Sequence, residues 1–329
     1  MSLTAMFEET QTGLTDRYFP INLSTVRVDS ILDFDLYTRV GGGGQPVLFR
    51  SRDLPFPADV HQRLVDNGVR QLFVRNDDRR KYRQYLEHNM GDILRDDTLE
   101  LAEKSEILYS TSTSLMSDMF ENPRQPEGIR RCQEMVEHTV DYILSGRQTC
   151  QSLISLTSHD YYTYTHSVNV CIYSVMLTKV LFPGGDERVL KELGTAFLLH
   201  DIGKCHVSPD IINKPGPLTP EEWAIMRRHP EEGYQILTEL GFMNHDIGVI
   251  VMQHHERYDG NGYPKKLKGE EIHLYGKICC ISDVFDALTT NRPYRAASSS
   301  FDALAIMKKE MIKNFDPDFF AKFVYLFQS

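Results

Sequence analysis

The chain is short of the cysteine patterns that would tie it together covalently. Six cysteines, at 132, 150, 171, 205, 279 and 280, are scattered over 329 residues with no CxxC pair. That spacing excludes a disulfide framework and a cysteine-quartet zinc knuckle, and it points to reduced thiols in a cytoplasmic protein. Long apolar runs are also missing: none approaches the roughly 18 to 20 residues that a membrane-spanning helix needs. The opening stretch, MSLTAMFEETQTGLTDRYF, has no basic start followed by an apolar segment, so no secretory signal is expected. Basic charge is scarce, with 36 Lys and Arg against 46 Asp and Glu and a net charge of −10. Such a balance excludes wrapping of long nucleic acid, which rewards basic stripes. A small anion is still allowed, because a few local cations or a metal can overcome the global field. Finally, Gly41–Gly44 is not followed by Lys-Ser/Thr, so this run reads as a turn rather than a phosphate loop.

What is present looks like an ordinary globular chain, 41% hydrophobic and 25% charged, long enough for two domains. Residues 1–97 read as a small α/β domain. Pro46–Ser51 and Gln71–Arg75 suit strands, and the helix between them opens near Pro57 and closes at Asn67-Gly68. Residues 98–149 read as a helical linker. Leu101, Leu108 and Leu115 are spaced by sevens, with Ser105 and Ser112 polar between them. Asn122-Pro123 and Gln125-Pro126 break this helix, and a second runs from about Glu127 to Leu144. Either helix could form a homodimer contact or pack within the chain. Residues 150–329 read as an all-α domain, with a capping box at Thr219-Pro220-Glu221-Glu222 and a loop at Gly260 and Asn261-Gly262. The fold class is therefore α+β.

Histidines and acids concentrate in the helical part: His166, His200, Asp201, His229, His254, His255 and Asp283. His166 shares a helical face with Val170, Tyr173 and Leu177, and His200 with Val189, Leu193 and Ala196, so both imidazoles should point inward. One such histidine is ordinarily a hydrogen-bonded core residue. Five with two aspartates are costly to bury unless something satisfies them. A pair of divalent metals would do so, because imidazole and carboxylate suit first-row ions. Asp201, beside His200, is the natural bridge.

The stretches YTYTHSVNV (162–170), LLHDIGK (198–204), HHERYDGNGYP (254–264) and ISDVFDALTTNRPYR (281–295) resemble the signature blocks of HD-GYP phosphodiesterases, a bacterial signalling family. The resemblance covers about residue 150 to the C-terminus and implies an all-α HD-type catalytic domain. It also implies an activity: hydrolysis of cyclic di-GMP to linear pGpG, and on to GMP, through a hydroxide shared by two metals. One metal would be held by His166, His200, Asp201 and Asp283, the other by Asp201, His229, His254 and His255, with iron or manganese preferred. Asp201 and Lys204, on one helical face, would be the catalytic pair. Lys204, Tyr263, Arg292 and Arg295 would meet the substrate. Some members hold a third metal through a glutamate four residues before the first histidine ligand. Here that position is Tyr162, which implies two metals. The resemblance further implies a sensory role for the N-terminal unit and a diguanylate cyclase partner. Two other readings fit the same residues: a phosphohydrolase for another nucleotide, and a catalytically silent domain that binds a cyclic dinucleotide.

Overall fold

A computed structural model describes residues 17–39, 45–157, 163–291 and 296–327. Gly41–Gly44, Tyr162, Arg292 and Arg295 lie outside the described residues, and so do the expectations attached to them. The chain divides into two compact units at Glu100/Leu101.

The first unit contains β1 (Tyr18–Asn22), β2 (Leu36–Thr38), β3 (Val47–Arg50), α1 (Ala58–Asp66), β4 (Gln71–Arg75) and α2 (Arg79–Arg95). Its strands form one sheet in the order β1-β4-β2-β3, and every neighbouring pair is antiparallel. The expected strand–helix–strand segment is present as β3, α1 and β4. These two strands are not neighbours, however, because β2 lies between them. Sequence reading missed β1 and β2. Pro20 argues against a strand at YFPIN, but β1 sits at the sheet edge, where a missing N–H is tolerated. Against the sheet, α2 buries Tyr82, Leu86, Met90 and Ile93, a helical stripe.

The second unit contains α3 (Leu101–Glu121), α4 (Pro126–Leu144), α5 (Arg147–Leu156), α6 (Thr163–Leu181), α7 (Glu187–Leu198), α8 (Pro209–Ile212), α9 (Pro220–Met226), α10 (His229–Glu239), α11 (His245–Gln253), α12 (Leu274–Thr289), α13 (Ser300–Glu310) and α14 (Pro317–Tyr325). Among its described residues there is no strand. The centre is α6, buried without interruption from Thr165 to Thr178. A helix apolar all round cannot lie on a surface, and α3, α7, α12 and α14 pack around it.

The helices over 101–144 belong to this unit. Leu108 and Leu115 are buried in it, and so are the polar positions between them: Ser105 Oγ lies 2.8 Å from Tyr142 Oη. Two local expectations change. Val189 is exposed, so the buried face of α7 is carried by Leu190, Leu193 and Ala196. And α7 ends at Leu198, so Asp201 and Lys204 share a 3-10 turn (Ile202–His206 with its cap) rather than an α-helical face. Side chains three apart eclipse on such a turn, which keeps the two together. The capping box at Thr219 and Glu222 forms as expected. No helix among the described residues is long and apolar enough to cross a membrane.

Candidate metal centre

Three of the histidines are built as helix ends. The last carbonyls of an α-helix have no partner within it, and each of these rings uses one. His200 Nδ1 donates to Phe197 O at 2.8 Å, near the end of α7. His254 Nδ1 donates to Val251 O at 2.8 Å in the last turn of α11. His229 Nδ1 donates to Met226 O at 2.7 Å, the final residue of α9. A carbonyl only accepts, so each Nδ1 carries a proton, and a ring holding that one proton presents its Nε2 lone pair inward. His166 follows the same logic with another acceptor: its Nδ1 lies 2.6 Å from Asp286 Oδ2.

These lone pairs converge on Asp201. His229 Nε2 is 3.2 Å and His254 Nε2 3.5 Å from Asp201 Oδ1, while His166 and His200 Nε2 each stand 3.5 Å from Oδ2. His229 and His254 Nε2 approach to 3.0 Å. His200 Nε2 and Asp201 Oδ1 are buried and make no hydrogen bond of ordinary geometry among the described residues. Buried polar atoms without hydrogen bonds are expensive, and lone pairs facing lone pairs call for a cation. Two donor sets share Asp201: His166 with His200, and His229 with His254 and His255, each with one ligand atom per residue within 4.8 Å of the others. Asp283 belongs to neither set but reaches both. Its Oδ1 is 3.0 Å from His166 Nε2 and its Oδ2 3.4 Å from His255 Nδ1. The donors and their arrangement fit a pair of divalent first-row ions.

The electrostatics agree. Burial opposes charge on Asp201, yet Lys204 and the surrounding imidazoles hold its carboxyl well below the usual range. Burial likewise opposes ionisation of Asp283, and His166 and His255 outweigh it. Burial pushes His200 down to about 3 and drives His229 and His255 down as well, so these rings are neutral donors. For His166, burial favours the neutral form, but Asp283 and Asp286 prevail and push it up to about 10. Without a cation, then, a proton on His166 supplies positive charge to this acidic pocket.

Close backbone packing fixes the distances. Gly203, two residues after Asp201, lies against α10, and a β-carbon there would fall 2.0 Å from His229 O and 2.6 Å from Gly233 N. After His255 the chain folds back: Tyr263 N donates to His255 O at 3.1 Å, and the Tyr263 ring lies 4.7 Å from the His255 ring. The buried Glu256 carboxylate anchors the rest of this loop, accepting from Lys265 N at 2.7 Å and Leu267 N at 3.0 Å.

A cavity of about 520 Å³ opens on the centre. Lys204, His229, His255, Tyr263 and Asp283 line it, together with a largely apolar wall that includes Ile211, Ile212, Leu218, Trp223 and Met226. Lys204 Nζ also contacts Asp201 Oδ2. The Arg227 guanidinium lies 5.5 Å from the Trp223 ring centroid and 5.6 Å from that of Tyr263. All seven expected metal-ligand positions thus come together, with Lys204 and Tyr263 beside them. Sequence reading missed the wall from 211 to 226 and the acid Asp286. The spacing of Asp286, three residues after Asp283 on an otherwise apolar helix, is the signal that could have found it.

Residues 149–319, just over half of the chain, match the family model described as HD domain. The cyclic di-GMP phosphodiesterase PA4108 of Pseudomonas aeruginosa is 35% identical over 221 residues, 66% of this chain and 52% of that protein. The 3'3'-cGAMP-specific phosphodiesterase 3 of Vibrio cholerae is 40% identical over 160 residues, 49% of this chain and 34% of that one. This chain therefore spans about half or less of the length of these curated relatives. Among solved structures, Bd1817, an HDG"Y"P protein from Bdellovibrio bacteriovorus, matches 95% of this chain and 100% of its own at a TM-score of 0.65. At 22% identity that likeness establishes the fold alone.

Proposed function

Because the chain belongs to the HD domain family, we infer that its second unit is a metal-dependent phosphodiesterase whose substrate is a cyclic dinucleotide, cyclic di-GMP in the first place. The observation that carries this reading is the convergence of imidazoles on one buried carboxylate, beside a cavity that His229 and His255 line and that is large enough for nucleotide groups. His166, His200, Asp201 and Asp283 would hold one cation, and Asp201, His229, His254 and His255 the other. Iron or manganese suits this set. When bound, the cations supply Lewis acidity toward water and phosphate oxygens.

The chain's own residues do the rest. Asp201 holds the two donor sets in register. Lys204, at the cavity floor, meets charge growing on the phosphoryl oxygens, the main demand of phosphoryl transfer. Burial and the nearby carboxylates keep the Tyr263 phenol protonated, so it stands as a donor toward a phosphate or a guanine edge. The wall around Trp223 gives the bases an apolar face and excludes water. By resemblance, Arg292 and Arg295 would be phosphate contacts, and Tyr162 in place of a glutamate would limit the centre to two metals. Three metal equivalents per purified active chain would overturn that last point. The product is linear pGpG, with GMP after a second cut.

The relatives named above act on two different cyclic dinucleotides, so the test is a substrate panel. Metal-loaded chain is given cyclic di-GMP, 3'3'-cGAMP and a simple linear phosphodiester, and products are resolved by chromatography. Preferential conversion of cyclic di-GMP to pGpG supports the reading. Binding without turnover across the panel would favour a silent nucleotide-binding domain.

A further inference from the structure

The hydrogen bond that orients His166 does not stop at Asp286. Asp286 Oδ1 accepts from Asn169 Nδ2 at 2.7 Å, and Asn169 Oδ1 accepts from the hydroxyl of Tyr109 at 2.8 Å. His166, Asn169 and Asp286 are all completely buried. Asn169 lies one turn after His166 on α6, and Asp286 one turn after Asp283 on α12, so each sits behind a residue of the centre. Tyr109 comes from α3, outside the matched residues 149–319.

We propose that Tyr109, Asn169 and Asp286 form a positioning relay that aims His166 and fixes which of its nitrogens faces the centre, making α3 an element through which the metal centre can be tuned. The direction of every bond follows from chemistry. A carboxylate only accepts, so Asn169 must turn its NH₂ toward Asp286 and its oxygen toward Tyr109, and the tyrosine must then donate. Asp286 in turn accepts a hydrogen bond from His166 Nδ1, which leaves Nε2 as the nitrogen turned toward Asp201 and Asp283. Partners of this kind fix ring orientation and raise ligand basicity. Removing the tyrosine hydroxyl takes this donor from the buried Asn169 oxygen, and the amide's hold on Asp286 loosens. The chain passes from the first unit directly into α3 at Leu101, about two helical turns before Tyr109. A rotation or slide of α3 would therefore reach His166 through three hydrogen bonds, the inner two of them fully buried.

The inference rests on the metal reading of the centre, and the experiment separates the two. Full-length metal-free chain is titrated with Mn²⁺ against a chromophoric chelator, for wild type, Tyr109→Phe, Asp286→Asn and the double variant. The His166 Nδ1–H resonance is followed in parallel by heteronuclear NMR. Asp286→Asn should weaken Mn²⁺ binding about 10- to 100-fold, as loss of an outer-shell carboxylate does. Tyr109→Phe should weaken it about threefold to tenfold, the scale of one neutral hydrogen bond. It should also move the His166 Nδ1–H resonance, which reads the bond to Asp286. Because Tyr109 acts only through Asp286, its effect should vanish in the double variant. If Asp286→Asn does not fold, the same cycle is run with Asn169→Ser. Wild-type affinity in Tyr109→Phe, or fully multiplicative losses in the double variant, would overturn the relay. A wild-type chain that takes up no Mn²⁺ would instead remove the metal reading, and the relay with it.

Discussion

Replacing Gly203 with alanine should separate Asp201 from His229 by moving backbone, not by touching either side chain. The added β-carbon would lie 2.0 Å from His229 O, where ordinary contact begins at 3.4 Å, so the two segments must part by about 1.4 Å. The other close atoms, Gly233 N at 2.6 Å and His229 C at 2.9 Å, are also backbone, so no flexible side chain can absorb the clash. Overpacking of this kind costs about 1–3 kcal/mol. In a unit of this size each kcal/mol lowers the melting temperature by about 2–4 °C, so a fall of roughly 2–12 °C is expected. The functional loss should be larger, because ligand sets need to be held within about 0.5 Å and a 1 Å misplacement can cost about 10²-fold. The assay is circular-dichroism melting of metal-free chain beside Mn²⁺ titration. Gly216→Ala, whose β-carbon would meet nothing within 4 Å, serves as the folding control and should melt as wild type. Gly203→Ala with wild-type melting and wild-type metal affinity would refute the claim that this backbone contact sets the centre.

Trp223→Ala should raise KM for a cyclic dinucleotide about 5- to 100-fold, the scale of one base-stacking contact, with kcat nearly unchanged, since uniform binding alone is removed; a fall in kcat at constant KM would count against a base platform there. In the first unit, burial opposes ionisation of Asp96, but hydrogen bonds from Thr98 and Arg27 prevail and hold its carboxyl down to about 2. The folded value lies below the ordinary 3.8, so this stabilisation is complete above about pH 3.8 and is lost as pH falls through 2. In Arg27→Ala an NMR titration of Asp96 should move its midpoint up toward 3.8, and an unmoved midpoint would sink the assignment.

Much of the centre was legible because its chemistry is carried by residue types that rarely share a buried site. Seven His and Asp positions at block-like spacing sufficed to name the residues that converge and to single out Asp201, which both donor sets share. Less legible was how the rings are held. His200, His229 and His254 owe their orientation to carbonyls at helix ends, and a sequence shows those only when helix termini are known to within a residue. The relay was hidden for a different reason: Tyr109 and Asn169 are 60 residues apart, and each alone reads as an ordinary polar group on a helix. In the first unit the short apolar run of β4, bounded by Gln71 and Arg75, and the Asn67-Gly68 helix stop were clear. By contrast, β2 has three residues, too few for a period, and β1 was masked by a proline that only an edge position permits.

The most direct measurement is steady-state turnover of cyclic di-GMP by Mn²⁺- or Fe²⁺-loaded wild type beside Asp201→Ala, with products resolved by chromatography and folding of both checked by circular dichroism. Two cations sharing Asp201 require that wild type release pGpG while the folded variant shows no hydrolysis above background. Comparable turnover by the folded Asp201→Ala chain, or a fully metal-loaded wild type that leaves every cyclic dinucleotide intact, would contradict it.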